Sequence, residues 1–122
     1  MATNYMQDGK VIQWTNGGSA VSSGDVVVIG GLIGVALVDI ANGGTGSVQV
    51  DGVFNLPKVD AAVIAQGESL VYDVSASKFD DSAATPATGD VSGASAVAFE
   101  AKGATTDATI AVRLTGVAGT VA

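Results

Sequence analysis

Residues Ser47-Val48-Gln49-Val50-Asp51-Gly52-Val53-Phe54 read as a β-strand, and that reading decides the fold. Val48, Val50 and Phe54 face one way while Gln49 and Asp51 face the other, a period of two that suits a strand with one buried face. Gly52 stands where a bulge would interrupt the alternation. Just upstream, Asn42-Gly43-Gly44 is a strong turn signal. The same pattern continues outward in both directions. Lys10–Trp14 is a short strand with Ile12 and Trp14 on one face, and Val26–Ile29 is a β-branched run. Val35–Val38 is another strand after the Gly30-Gly31 break. Downstream, Leu70, Tyr72 and Val74 alternate with Val71 and Asp73, and Val97, Phe99 and Ala101 with Ala98 and Glu100. Ile110, Val112 and Leu114 alternate with Ala111 and Arg113. Only Val59–Ala65 has a helical pattern, for at most one or two turns, with Asp60 near its start and Gly67 past its end. Short strands at this spacing predict an all-β protein, a small β-sandwich or β-barrel with at most one short helix.

The 122 residues suit one domain. Residues 1–8 form a polar N-terminal arm, and residues 9–122 a single β domain in which 78–95, poor in large apolar side chains, is a long exposed loop. The chain also echoes itself. Gly24–Ile29 resembles Gly67–Tyr72, Val35-Ala36-Leu37 recurs as Val97-Ala98-Phe99, and Asp51-Gly52-Val53 as Thr115-Gly116-Val117. Each half then reads strand, strand, turn, strand, with the loop inserted in the second, as two pseudo-repeats would. Sequence rich in Gly, Ala and Val also resembles itself by chance, so both explanations stand at this stage.

Composition excludes several function classes. There is no His and no Cys, hence no zinc-finger site, no disulfide framework and no thiol or imidazole nucleophile–base pair. Five basic against 12 acidic residues give a net charge of −7, which opposes nucleic-acid binding. Hydrophobic residues reach 48% but aromatics only 5%, so Ala and Val supply a thin core that oligomerisation or docking on a larger surface would reinforce. The N-terminus lacks the apolar core of a signal peptide, and Val26–Val38 is too short and too glycine-broken to span a bilayer. These features predict a soluble protein made in a cytoplasm, with no membrane partner.

The tempting motifs fail on their own chemistry. Val26–Gly34 looks like a strand entering a dinucleotide-binding turn, but that fingerprint needs glycine where Ile29 stands and a helix after Gly34. No lysine occupies a phosphate-binding loop pattern, so no cofactor is expected. Asp80 and Asp81, with Asp90, make the densest acidic cluster but lack calcium-loop register, and read as a solvated loop. Lys58, after Pro57, reads as a surface charge. Trp14, Phe54, Tyr72 and Phe99 read as core, which leaves too few aromatics for a carbohydrate platform. Tyr5, outside the strands, is the aromatic to consider for a partner contact.

Asn4-Tyr5-x-Gln7-Asp8-Gly9 resembles the opening of small tailed-bacteriophage capsid cement, or head decoration, proteins. Ser23-Gly24-Asp25 with its valines, Gly34-Val35-Ala36, and Gly52-Val53-Phe54-x-Leu56-Pro57-Lys58 continue the likeness. Gln66-Gly67 with Val71-Tyr72-Asp73, and Val112-Arg113-Leu114, complete it in order along nearly the whole chain. The resemblance implies a non-enzymatic structural protein of the virion, made in the bacterial host and binding the outer surface of an assembled capsid to strengthen it. Its partners would be the major capsid protein and itself, as a homotrimer in preference to a dimer. Asn4, Tyr5, Met6 and Gln7 of the arm, with Asp80 and Asp81 of the loop, are the expected capsid or subunit contacts. The alternative is a non-catalytic ligand- or carbohydrate-binding β-sandwich module.

Overall fold

A computed structural model describes residues 9–106 and 108–122. Among them there is no helix, and the strands form three antiparallel sheets. The first sheet contains β1 (Val11–Thr15), β2 (Val26–Ile29), β3 (Leu32–Ala36) and β4 (Thr45–Gln49), in the order β1-β4-β3-β2. In the second, β5 (Asp51–Pro57) and β9 (Ala96–Ala98) flank β10 (Thr109–Thr115). The third orders β11 (Thr120–Val121), β8 (Val91–Ser92), β6 (Val71–Asp73) and β7 (Lys78–Asp80) as β11-β8-β6-β7.

The Ser47–Phe54 stretch is not one strand but the corner between two sheets. Its first part, in β4, pairs with β1 and β3; its second, in β5, pairs with β10. Gly52 turns the corner with φ at +129°, a conformation that L side chains rarely adopt. The alternation holds up to the turn, where Val48 and Val50 are both buried, and beyond it Phe54 is half-buried. Val48 and Val50 join Val27, Ala36 and Ile40 in one apolar cluster. The larger cluster lies around β10, where Ile110, Val112 and Leu114 meet Leu56, Leu70, Tyr72, Phe79 and Val91. Ile33 and Val35 also join it, so the β2–β3 hairpin carries apolar side chains of both clusters.

The two halves share one hydrogen-bond diagram. Gly24 N–H donates to Ala36 O and Ala36 N–H to Asp25 O; Gly67 N–H donates to Ala98 O and Ala98 N–H to Glu68 O. The bridge Val21–Ile40 returns as Ile64–Lys102. Val48 faces Ile12 and Ala36, as Val112 faces Phe54 and Ala98. Thus β1-β4-β3-β2 corresponds to β5-β10-β9 completed by the Ser69–Val97 bridge. Chance self-similarity of a simple composition does not reproduce paired registers, so the echo is a structural duplication. Where the first half turns from β2 to β3 on Gly30-Gly31, the second inserts β6 to β8.

Four further expectations change. Val59–Ala65 is not helical: one turn bond joins Ala62 N–H to Val59 O, and Ile64 is already paired with Lys102. Seven residues are too few to repay helix nucleation when other partners take the carbonyls. Lys58 is fully buried, not a surface charge; its Nζ donates to Val59 O at 2.6 Å and to Ala62 O. Residues 78–95 include β7 and β8, with Phe79 and Val91 fully buried, and the exposed loop shrinks to the tip between them. Finally, Phe99 is exposed, because β9 buries Ala96 and Ala98, the phase opposite to that of Val97 and Phe99.

Candidate functional site

A cavity of about 260 Å³ opens between the two halves, where Asp25 and Val26 of the first face Pro57, Tyr72 and Ser77 of the second. Burial pushes the Tyr72 hydroxyl above its ordinary pKa, partly opposed by its hydrogen bond with Ser77. Ser77 is held at φ +55° in the tight turn from β6 to β7. Asp25 is the one carboxylate of the lining, and its Oδ2 already accepts Ser22 N–H at 3.0 Å. The cavity therefore has no paired acid for proton transfer.

Eight other carboxylates are likewise used as backbone acceptors. Asp39, Asp60, Glu68, Asp73, Asp80, Asp81, Asp90 and Glu100 each accept at least one backbone N–H. Glu68 spans two segments, with Oε2 on Ser82 N–H at 2.7 Å and Oε1 on Ala65 N–H at 3.0 Å. These bonds hold its carboxyl below the ordinary value of 4.5. Asp73 is lowered too, chiefly by the Ser75 hydroxyl and then by Ala76 N–H. Asp90 is buried and ties Val74 N–H and Ala87 N–H together. Among the described residues, no group of three or more acids is placed to hold a metal ion. This acidic composition stiffens turns in a protein of short strands, since each of these carboxylates satisfies amides that the sheets leave unpaired.

Asp80 and Asp81 stand at the end of β7, both half-buried. Asp80 Oδ1 accepts Asp81 N–H at 2.8 Å and Asp81 Oδ1 accepts Ala83 N–H at 3.1 Å, so they shape the entry to the exposed tip. Asn4, Tyr5, Met6 and Gln7 lie outside the described residues.

Sequence reasoning missed an exposed apolar set. Leu37, Val38, Val63 and Phe99 are 40%, 47%, 66% and 54% accessible. All lie in the segments that follow β3 and β9 or face them across the equivalent bridges. The internal echo is the signal that could have found them, because it aligns Phe99 with Leu37. What the surface offers is contact area beside carboxylates. No curated protein and no solved structure matches this chain. The family model for phage cement proteins matches residues 6–114, and the chain belongs to that family.

Proposed function

We propose that this protein binds the exterior of an assembled phage capsid and stabilises the shell, acting without catalysis. Membership of the phage cement family over residues 6–114 carries this reading. The charge of −7 supports an outer position, since it keeps the free protein soluble and out of competition for packaged DNA. The partner is the major capsid protein, and the protein associates with itself as a homotrimer in preference to a dimer. Many copies on one shell give lasting occupancy from modest individual contacts. The arm of residues 1–8 lies along a neighbouring subunit, and Asp80 and Asp81 border a second contact. After synthesis in the host cytoplasm, the protein's working place is the outer surface of the head.

Purified protein is added to undecorated heads, followed by cosedimentation and by heating until DNA is released. Saturable binding with a raised release temperature is the expected result; absence of binding overturns the reading. Deleting residues 2–8 lowers occupancy, and unchanged occupancy removes the arm from the interface. The mass of the free protein distinguishes a trimer from a dimer.

A further inference from the structure

Leu37 and Phe99 occupy equivalent positions in the duplicated fold, and each has its main chain held by equivalent bonds. Leu37 N–H donates to Ser47 O at 3.0 Å and Phe99 N–H to Ala111 O at 2.9 Å. Their carbonyls are bound as well: Ser23 Oγ donates to Leu37 O and Gln66 Nε2 to Phe99 O, both at 3.2 Å. Ser23 and Gln66 are themselves equivalent, each preceding the glycine of the shared turn. With both polar groups tied down, the side chains still project, at 40% and 54% exposure.

Burial does not explain this. Elsewhere the halves have diverged freely: Ile33 corresponds to Ser95, Val26 to Ser69, and the Gly30-Gly31 turn to the insertion of β6 to β8. A large apolar side chain left in water contributes little to folding, yet both halves carry one at the same place. Each also stands among carboxylates. Asp39 Oδ1 accepts the N–H of Ser23, whose hydroxyl holds Leu37; Glu100 adjoins Phe99, and Asp25 and Glu68 occupy the equivalent turns. A capsid is built from many copies of one subunit, so it offers any given site repeatedly.

We propose that Leu37 and Phe99 are twin contacts, seated in the same shallow, base-rimmed apolar site on two neighbouring copies of the capsid subunit. This rests on the proposed capsid binding and adds to it the contact residues, the partner chemistry and a valency of two. Two rigidly held contacts on one chain convert the second engagement into an intramolecular one, which multiplies affinity without a larger interface. The acidic flanks complement basic residues around each site and make binding weaken with salt.

The test compares full-length protein with Leu37→Ser, Phe99→Ser and the double variant on undecorated heads, by cosedimentation titration at low and moderate salt. Val74→Ser, at an exposed apolar residue of the β6–β8 insertion that has no counterpart in the first half, is the control, and thermal melting verifies that every variant folds. Each single change is expected to weaken binding by about tenfold or more, and the double change to remove it at the same protein concentrations. Val74→Ser binds as the unaltered protein does. If the unaltered protein binds and the double variant binds equally well, the twin contact is overturned while capsid binding stands. If one single variant behaves like the double and the other like the unaltered protein, there is one contact rather than two, and the proposal fails. If the unaltered protein does not bind heads at all, capsid binding itself fails.

Discussion

Asn16 and Lys58 stand at the same place in the two halves and anchor the same turn by different chemistry. Asn16 N–H donates to Gly44 O and Lys58 N–H to Ala108 O, each just after the edge strand of its half. Both side chains are buried, and both reach carbonyls of the turn that follows: Asn16 Nδ2 bonds Ser19 O at 2.8 Å, and Lys58 Nζ bonds Ala62 O. Asn16 Nδ2 also reaches Ile40 O at 3.1 Å, closing the turn onto the opposite loop. The ammonium has three protons to offer, and Val59 O takes another. A buried cation is tolerable here because backbone carbonyls replace its water.

Lys58→Met keeps the stem and removes the donor, leaving buried carbonyls without a partner. The expected loss is about 2–3 kcal/mol of unfolding free energy in urea titrations, with a larger loss for Lys58→Ala. A methionine variant as stable as the unaltered protein would show that the ammonium holds nothing.

The corner between the first two sheets depends on Gly52. At φ +129° alanine is strained in its backbone, and its Cβ would displace the Gln49 amide, whose Nε2 lies 2.8 Å from that point. Gly52→Ala therefore costs about 1–3 kcal/mol, read from the shift in urea midpoint. An unshifted midpoint would place the turn elsewhere.

Phe79 is the sole large apolar side chain between Lys78 and Asp90, and it is fully buried. Its ring lies 4.9 Å from that of Tyr72, centroid to centroid. Phe79→Ala should destabilise the fold by about 3–5 kcal/mol. A loss below about 1 kcal/mol would return this segment to the status of a surface loop.

This segment marks where the sequence stops being readable. Strand β10 is legible because seven residues alternate without a break, and the buried set Ile110, Val112 and Leu114 follows from period alone. A single phenylalanine in polar surroundings has no period, so β7 leaves no local trace. The three-residue β9 is deceptive for the opposite reason: both of its phases carry apolar residues, and the buried face is that of the small Ala96 and Ala98 rather than that of Val97 and Phe99. Lys58 is hidden by its own side chain, whose apolar stem and charged tip suit surface and interior alike. The duplication was visible in three short echoes, but only the paired registers distinguish it from composition. The exposed Leu37–Phe99 pair becomes meaningful through that same correspondence, so long-range equivalence, rather than local pattern, reveals the candidate site.

Ser95 illustrates what divergence leaves behind. It fills the place of Ile33, and its buried hydroxyl has no hydrogen-bond partner. Ser95→Ala removes that polar atom at little cost in volume and should raise stability by about 1 kcal/mol. Thermal melts that show a loss instead would mean the hydroxyl is satisfied in solution.

Glu68 makes the exposed tip pH-sensitive. Its carboxylate accepts Ser82 N–H and Ala65 N–H, and those bonds lower its pKa from 4.5. The folded value lies below the unfolded one, so the stabilisation is complete above the unfolded pKa and is lost as pH falls through the folded one. Protonation leaves Ser82 and Ala65 facing a weaker acceptor, which releases the strap between the Ala65–Glu68 turn and the segment after β7. The amide resonances of Ser82 and Ala65 should therefore titrate together with a midpoint below 4.5. Glu68→Gln should abolish that titration at both amides while the protein remains folded at neutral pH. The acid form should also be cleaved faster by an acid protease between Ser82 and Gly89, where the chain is mostly exposed. A midpoint at or above 4.5, or a titration that survives in Glu68→Gln, would assign the strap to another group.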